Sequence, residues 1–235
     1  MSCEFRVSGF ELKTLLTSQP ETRNPKLATR MANLDHRIYL ASRSPRRREL
    51  LAQIGVRFEL LLFRDVPREA PDVDEVPLPD ESPEVYVQRV TVAKAHAGLN
   101  RMHQRRLIPH PVLSADTTVE IDGAVIGKPV DEADAMDILR RLSGRTHRVL
   151  TAVAVAEENR IEQALNINEV RFRALGEAEI KRYAHSGEPL DKAGAYGIQG
   201  RAGIFIEEIR GSYTGIMGLP LFETAMLLRR FGYPI

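Results

Sequence analysis

The stretch PVLSADTTVEIDGAVIGKP, residues 111–129, decides the fold class of this chain. It begins as an apolar strand, and Asp122-Gly123 is a dipeptide that favours a type I′ turn, so a hairpin follows. The segments around it alternate between strands and helices, which by itself would suit a uniform parallel barrel. Because a hairpin interrupts that alternation, the sequence predicts a mixed α/β sheet with flanking helices.

The other elements follow from caps, turns and apolar spacing. RIYLA (37–41) predicts a buried strand, and Ser44-Pro45 begins a helix that stops at Gly55. The prolines and acids of residues 64–83 predict a long loop, and Ser82-Pro83 begins a helix to residue 99. After the hairpin we predict a helix over 131–144, strands over 147–156 and 164–175, a helix within 176–187, an irregular glycine-rich segment over 188–203, a strand over 204–209 and a helix over 219–232.

Composition excludes several classes of protein. A formal net charge of +1 gives no general attraction to DNA or RNA, so we do not expect a nucleic-acid partner. No apolar run approaches the roughly 18–20 residues that span a bilayer, so we expect no membrane role. The single cysteine, Cys3, allows no intrachain disulfide and predicts a cytoplasmic protein. Residues 1–34 lack a regular pattern, and we interpret them as a mobile extension before a domain over 35–235.

The first turn of the helix after Ser44 carries Arg46, Arg47 and Arg48. Cations at a helix N-terminus oppose the helix dipole, so their placement calls for an explanation. Three solvated arginines on an exposed helix end are one interpretation. The other is an anion pocket, in which Ser42, Ser44, free backbone N–H groups and guanidinium groups together bind phosphate.

Acidic residues with a potential chemical role lie in two places. Asp116 follows an apolar strand, where its carboxylate could orient a water or hold a divalent cation, although a simple turn contact is an equal alternative. Asp72, Asp74 and Glu75 are hard oxygen ligands in the long loop and would suit Mg²⁺ or Mn²⁺ unless they are merely solvated. Lys128, which precedes a proline, is either a ligand or a solvated side chain.

The segment DKAGAYGIQG brings Asp191, Lys192 and Gln199 among glycines that let a backbone approach a ligand closely. Its glycine spacing is not the dinucleotide-binding fingerprint, and it does not join a strand to a helix. Serine-hydrolase and P-loop motifs do not occur in the sequence. The histidines at 96, 103, 110, 147 and 185 lack zinc-like spacing, and we interpret them as surface or packing residues.

Taken together, these segments resemble the Maf family of nucleoside triphosphate pyrophosphatases. The matching pieces run in family order and are LASRSPRRRELLAQIG, DVDEVPLPDESPEVYVQRVTVAKA, SADTTVEIDGAVIGKP, ILRRLSGRTHRVLTAVAV, EPLDKAGAYGIQGRAG and GSYTGIMGLPLFET. The resemblance implies an elongated mixed sheet with two lobes around a cleft, like that of the inosine triphosphate pyrophosphatases. It also implies a homodimer and a metal-dependent hydrolysis of a nucleoside triphosphate substrate to the monophosphate and pyrophosphate, with Mg²⁺ or Mn²⁺ as cofactor.

The resemblance also implies roles for individual residues. Asp116 corresponds to the catalytic proton acceptor, and Glu75 to a loop carboxylate that holds the metal together with Asp116. The residues that would line the phosphate path are Ser42, Arg47, Lys94, Lys128 and Lys192. The loop ahead of Glu75 is longer than the family pattern, which leaves the position of that carboxylate to be established.

Base preference depends on three variable positions, which are Arg46, Thr117 and Gln199 in this sequence. They resemble the branch that acts on dTTP and UTP, whereas the branch acting on 7-methyl-GTP carries Trp, Gln and Glu there. An amide and a hydroxyl match the donor and acceptor edge of uracil or thymine, so we predict a dTTP/UTP pyrophosphatase. The alternatives are a 7-methyl-GTP pyrophosphatase, a non-catalytic nucleotide- or nucleic-acid-binding regulator of cell division, and a purely structural module.

Overall fold

A mixed sheet of seven strands forms the centre of the computed structural model, which describes residues 36–62 and 73–235. The strands are β1 (Ile38–Leu40), β2 (Phe58–Leu60), β3 (Val112–Ile121), β4 (Ala124–Ile126), β5 (Thr146–Glu157), β6 (Arg160–Phe172) and β7 (Ile206–Arg210). The α-helices in this part of the chain are α1 (Pro45–Gln53), α2 (Pro83–Gln104), α3 (Glu132–Leu142), α4 (Glu177–Ala184), α5 (Tyr213–Met217) and α6 (Leu221–Arg230). The glycine-rich segment 188–203, predicted to be irregular, contains two short 3₁₀ helices, Glu188–Asp191 and Ala193–Ala195, and the start of a third, Arg201–Phe205. The predicted mixed α/β class is confirmed.

The strand order is β2-β1-β3-β5-β6-β7, and β4 pairs separately with β3. β1 is parallel to both β2 and β3, while the other pairs are antiparallel. The hairpin between β3 and β4 turns at Asp122 and Gly123, whose φ angles of 57° and 79° are both positive, as a type I′ turn requires. This turn reverses the chain where the sequence predicted it.

β3 runs through two hydrophobic cores. Near its start, Leu113 and Ala115 pack in a cluster with side chains of β1, α1 and α6. Near its end, Val119 and Ile121 pack in a second cluster with side chains of β4, α3 and α4. The middle of β3 therefore lies between two separately packed groups of elements.

Several element boundaries differ from the sequence predictions. α2 continues to Gln104, five residues beyond the predicted end. β6 begins at Arg160 because Glu158, with φ of 50°, reverses the chain directly after β5 and lets Glu157 pair with Arg160. Ser44 is the N-cap of α1, but its side chain makes no capping hydrogen bond.

The short helix α5 was not predicted from the sequence. The predicted extension over residues 1–34, and the loop residues up to Asp72, lie outside the described residues and stay predictions. Among the helices that are described, none has both the length and the apolar character that crossing a bilayer demands.

Candidate active site

The two edges of β3 have different neighbours. β5 pairs along one edge from Val112 to Glu120. On the other edge, β1 pairs with Val112 and Leu113, and β4 pairs only from Val119 onward. Within the described part of the chain, no strand covers residues 114–118 on that side, and we call this stretch the open edge of β3. Of these residues, Asp116 and Thr117 are partly exposed, whereas Ser114, Ala115 and Thr118 are buried.

α2 is fixed against the open edge by a buried hydrogen bond. The Ser114 hydroxyl, which is fully buried, donates to the backbone oxygen of Thr91 at 2.9 Å. Thr91 lies three residues before Lys94, so this bond sets the height of Lys94 along β3. Alternation along the strand puts Asp116 on the same face as Ser114, beside α2.

Lys94 joins two carboxylates. Its ammonium nitrogen donates to Asp116 Oδ1 at 2.6 Å and lies 2.9 Å from Glu75 Oε1. The side chains of Lys94 and Asp116 are only 13% and 14% exposed, whereas that of Glu75 is 52% exposed. The structure thus brings together three predicted site residues that come from a loop, a helix and a strand. One cation between two anions also offsets their mutual repulsion.

The loop that carries Glu75 is anchored to α2. The Tyr86 hydroxyl donates to the backbone oxygen of Glu75 at 3.0 Å, and Arg89 donates to the backbone oxygen of Val76 at 3.0 Å. Burial, together with the negative charges of Asp116 and Glu75, raises the pKa of Tyr86 to about 12, so the hydroxyl keeps its proton and stays a donor. Despite the longer loop ahead of it, Glu75 is therefore held beside Asp116.

Arg47 is fixed by three different acceptors. Its Nε donates to the backbone oxygen of Gly218 at 2.7 Å, Nη1 to Ser42 Oγ at 3.1 Å and Nη2 to Thr117 Oγ1 at 3.2 Å. Burial lowers the pKa of Arg47, and the charge of Asp116 opposes that shift. Arginine still remains charged at neutral pH, so a positioned cation lies across the open edge from Asp116.

A chain of hydroxyl groups supports Arg47 from inside the sheet. Thr151 Oγ1, which is fully buried on β5, donates to the backbone oxygen of Gly215 at 2.8 Å. It also lies 3.0 Å from Thr117 Oγ1. Since Thr151 has only one hydroxyl proton, Thr117 must donate to Thr151 and accept from Arg47. Both threonines therefore help to hold the guanidinium group in one orientation.

A second cationic group lies on the glycine-rich segment 188–203. Lys192 donates to Asp191 Oδ1 at 2.5 Å and to the backbone oxygen of Glu188 at 2.6 Å. Arg46 Nη1 lies 4.0 Å from Asp191 Oδ2, so Asp191 links α1 to this segment. The arginines of the first helical turn thus point in two directions, Arg47 to β3 and Arg46 to residues 188–203.

Lys128 and Gln199 are both exposed, and neither belongs to these contacts. Within residues 36–62 and 73–235, Lys128 makes no ion pair or hydrogen bond through its side chain. The preceding residue, Gly127, accepts a hydrogen bond from the Gly194 N–H at 3.0 Å, which holds the end of the β3–β4 hairpin beside the segment 188–203. This backbone hydrogen bond therefore brings Lys128 close to the segment that carries Lys192.

Two carboxylates are available for a divalent cation. No group of three or more His, Cys, Asp or Glu side chains suitable for a metal occurs in the described residues. Mg²⁺ in phosphate-transfer sites is commonly held by one or two carboxylates together with substrate phosphates, and Glu75 with Asp116 matches that donor set. The ammonium group of Lys94 contacts one oxygen of each carboxylate, Asp116 Oδ1 and Glu75 Oε1, which leaves the second oxygen of each as a possible metal ligand. These residues therefore fit such an ion.

Other predicted candidates lie apart from this site. Asp74 Oδ1 accepts a hydrogen bond from the Val76 N–H at 2.9 Å, so this carboxylate stabilises the loop, and Asp72 is outside the described residues. His147 is buried, lies 2.8 Å from the Tyr196 hydroxyl and packs edge-on against Phe172. Burial lowers the pKa of His147 to about 4, which keeps it neutral, as a packing histidine should be.

Four residues of the site were not predicted from the sequence: Tyr86, Thr151, Gly215 and Gly218. A signal existed for Thr151, because it is a polar residue inside the otherwise apolar run LTAVAVA. Gly218 adopts a φ of 112°, which only glycine adopts readily, and its backbone oxygen is the acceptor for Arg47. Its role depends on the distant α1, so local sequence could not have indicated it.

Comparison with known proteins gives a consistent result. The family model described as Maf-like protein matches residues 37–231. The dTTP/UTP pyrophosphatase of Aromatoleum aromaticum is 63% identical over 206 residues, covering 87% of this chain and all of that protein. The dTTP/UTP pyrophosphatase of Dechloromonas aromatica is 58% identical over 197 residues, covering 84% of this chain and 98% of that protein. The Ham1 protein of Staphylococcus aureus is a distant structural neighbour, with 12% identity, 58% of this chain and 71% of that chain covered, and a TM-score of 0.33 that supports no argument.

Proposed function

From the fact that this chain belongs to the Maf family, we infer that it is a nucleoside triphosphate pyrophosphatase that hydrolyses dTTP and UTP to the monophosphate and pyrophosphate. The observation that carries the proposal is the arrangement at the open edge of β3, where Lys94 holds two carboxylates opposite the fixed guanidinium group of Arg47. Such a site offers a proton acceptor and cations at one place, which hydrolysis of a phosphoanhydride requires.

In the proposed mechanism Asp116 orients and deprotonates the water that hydrolyses the anhydride bond between the α- and β-phosphates. That bond breaks, and the monophosphate and pyrophosphate leave. Lys94 donates to Asp116 Oδ1 and holds the carboxylate in one orientation. The entropy cost of orienting Asp116 towards the water is therefore small. Glu75 and Asp116 would hold Mg²⁺ or Mn²⁺, which when bound neutralises charge on the phosphates. Most of the rate enhancement comes from positioning and electrostatics.

We assign the phosphate path to Ser42, Arg47, Lys94, Lys128 and Lys192. Three hydrogen bonds fix the orientation of the Arg47 guanidinium group. The ammonium group of Lys192 is held by a backbone oxygen and a carboxylate oxygen. Exposed Lys128, without a partner of its own in the described residues, is free to bind a phosphate oxygen. These cations would stabilise the negative charge that develops on pyrophosphate as it leaves.

We assign base recognition to Arg46, Thr117 and Gln199. Gln199 is exposed at the turn of the glycine-rich segment, and its amide offers both a donor and an acceptor to uracil or thymine. Thr117 donates its proton to Thr151, so it offers a substrate an acceptor only. The pyrimidine assignment is also supported by the similarity to proteins named dTTP/UTP pyrophosphatases, which makes 7-methyl-GTP the less favoured substrate.

A homodimer and a cytoplasmic location complete the proposal. The dimer rests on the family resemblance, and light scattering of the full chain would measure it. The location rests on the single cysteine, Cys3, which suits a reducing compartment. Fractionation of cells that express the chain would test it.

The decisive experiment is a nucleotide panel with Mg²⁺ or Mn²⁺, scored separately for pyrophosphate and orthophosphate. We expect UTP and dTTP to yield pyrophosphate and monophosphate, with 7-methyl-GTP turned over more slowly. Release of orthophosphate would contradict the position of cleavage. Saturable binding without any turnover would instead favour the non-catalytic regulator.

A further inference from the structure

The turn that carries Gln199 is closed by a hydrogen bond from the Gly200 N–H to the Gly197 oxygen at 3.0 Å, and the carboxylate of Glu188 binds its far side. Glu188 Oε2 accepts a hydrogen bond from the Arg201 N–H at 3.2 Å, two residues after Gln199. Its other oxygen, Oε1, accepts from the Tyr183 hydroxyl at 3.0 Å. Tyr183 belongs to α4 and is buried, and burial raises the pKa of its hydroxyl, so that group stays a donor. The carboxylate therefore connects the turn to a fixed helix.

Gly200 shows how closely this carboxylate approaches the turn. A Cβ atom added at Gly200 would lie 1.9 Å from Glu188 Oε1 and 2.5 Å from its Cδ, and the three nearest atoms all belong to Glu188. The φ of Gly200 is −98°, an ordinary value for any residue. A side chain at position 200 would thus have to displace the Glu188 carboxylate, and backbone strain plays no part.

The side chain of Glu188 can be separated from the phosphate-binding residues. Lys192 contacts Glu188 only through the backbone oxygen, at 2.6 Å, and that oxygen survives any substitution of the side chain. Removal of the carboxylate would leave the Arg201 N–H without this acceptor and remove the link between the turn and α4, while the acceptor for Lys192 remains.

We propose that Glu188 is a specificity-positioning residue, whose carboxylate holds the turn over residues 197–201 and thereby places Gln199 for reading a pyrimidine base. This inference rests on the proposed function, in which Gln199 contacts the base. Glu188 itself does not touch the substrate. Its expected effect is therefore on the choice of base and not on the chemistry of the phosphoanhydride.

The test compares kcat/KM for UTP and GTP in four variants of the full chain: Glu188→Ala, Glu188→Gln, Gly200→Ala and the double variant Glu188→Ala/Gly200→Ala. We expect Glu188→Ala to lower the UTP-to-GTP ratio by about 10- to 100-fold, since displacement of a contact group by about 1 Å has effects of this size. Glu188→Gln should keep the ratio within about threefold, because its amide oxygen can accept from Arg201 and its amide nitrogen can donate to Tyr183. A variant that only loses fold stability would show the same decrease in kcat/KM for UTP and for GTP, and the ratio would not change.

The double variant tests the contact itself. Gly200→Ala alone should lower the ratio, because its methyl group collides with the carboxylate. In the Glu188→Ala background the same methyl group meets no carboxylate, so it should add no further loss. Fully additive losses would overturn the inferred contact, and an unchanged ratio in a folded Glu188→Ala variant would overturn the positioning role. If Glu188→Ala does not fold, the Gly200→Ala and Glu188→Gln results decide.

Two measurements in the same assay separate this inference from the proposed function. If the wild-type chain releases no pyrophosphate from UTP or dTTP, the proposed function fails. If it does so but Gln199→Glu leaves the UTP-to-GTP ratio unchanged, the role of Gln199 fails and the inference about Glu188 falls with it. If Gln199→Glu changes the ratio and Glu188→Ala does not, only the inference about Glu188 is overturned.

Discussion

Replacement of Asp116 with asparagine removes a charge and a proton acceptor at nearly constant side-chain volume. The amide oxygen can still accept the 2.6 Å hydrogen bond from Lys94, which also keeps its contact with Glu75. The amide nitrogen cannot take a proton from water, so we expect kcat to fall by about 10²–10⁴-fold. By transition-state theory this loss corresponds to about 3–5 kcal/mol.

The fold should lose much less. Asp116 and Lys94 are largely buried, and weakening one hydrogen bond between charged groups costs about 1–2 kcal/mol of unfolding free energy. For a chain of this length that loss lowers the melting temperature by roughly 2–8 °C. The catalytic and structural consequences of Asp116→Asn therefore differ enough to be separated.

The assay is pyrophosphate release from saturating UTP, with thermal unfolding followed by circular dichroism. Asp74→Asn is the matched control, because it makes the same chemical change on the loop beside Glu75, where the Asp74 carboxylate accepts only from the Val76 N–H among the described residues. We expect the control to keep kcat within about threefold, as surface changes usually do. A folded Asp116→Asn variant that retains more than about a tenth of the wild-type kcat would refute the role of Asp116 as proton acceptor.

Four further predictions concern other parts of the chain. Thr151→Val removes the hydroxyl that accepts from Thr117, so Arg47 loses orientation and kcat/KM should fall by about 10-fold for all nucleotides. Thr151→Ser should keep the wild-type kcat/KM, and equal losses in both variants would contradict the chain of hydroxyl groups. Gln199→Glu should selectively weaken UTP and dTTP by about 1–3 kcal/mol, while Lys128→Ala should weaken every triphosphate alike; a uniform effect of Gln199→Glu on kcat/KM would argue against base recognition. Burial lowers the pKa of His147 to about 4, so on acidification His147 binds a proton in the unfolded chain before it does in the folded chain. The free energy of unfolding should therefore fall by up to about 3 kcal/mol between pH 6.5 and 4, and urea unfolding of His147→Phe should lack that part of the pH dependence. A chain beginning at Met31 should keep its melting temperature and turnover, and a large drop in either would show that the preceding residues contribute to the domain.

Local chemistry in the sequence was sufficient for much of the fold. Asp122-Gly123 adopts two positive φ angles, so it turns the hairpin wherever the flanking strands lie. Ser82 caps α2 by accepting from the Val85 N–H, and Asp131 caps α3 by accepting from the Asp134 N–H. These features depend on dihedral angles and hydrogen bonds within four residues, and their prediction needed no knowledge of distant parts of the chain.

Only the tertiary structure decided where strands end and which edge of the sheet stays open. β6 begins at Arg160 because its partner β5 extends to Glu157, and no apolar alternation marks that start. The gap between β1 and β4 along β3 depends on the lengths of two short strands that lie far apart in sequence. Strand limits are set by pairing partners, which a single sequence does not specify.

The same distinction holds for the candidate site. Six segments in family order were sufficient to indicate the family and its chemistry, and the resemblance then implied roles for Arg47, Lys94 and Asp116. The contact of Lys94 with both Glu75 and Asp116, and the support of Arg47 by Gly218, join residues that are far apart in the chain. Such contacts form only when the packing of helices on the sheet brings the side chains within about 3 Å, because hydrogen bonds and ion pairs at this range depend on distance and direction, which sequence order does not contain.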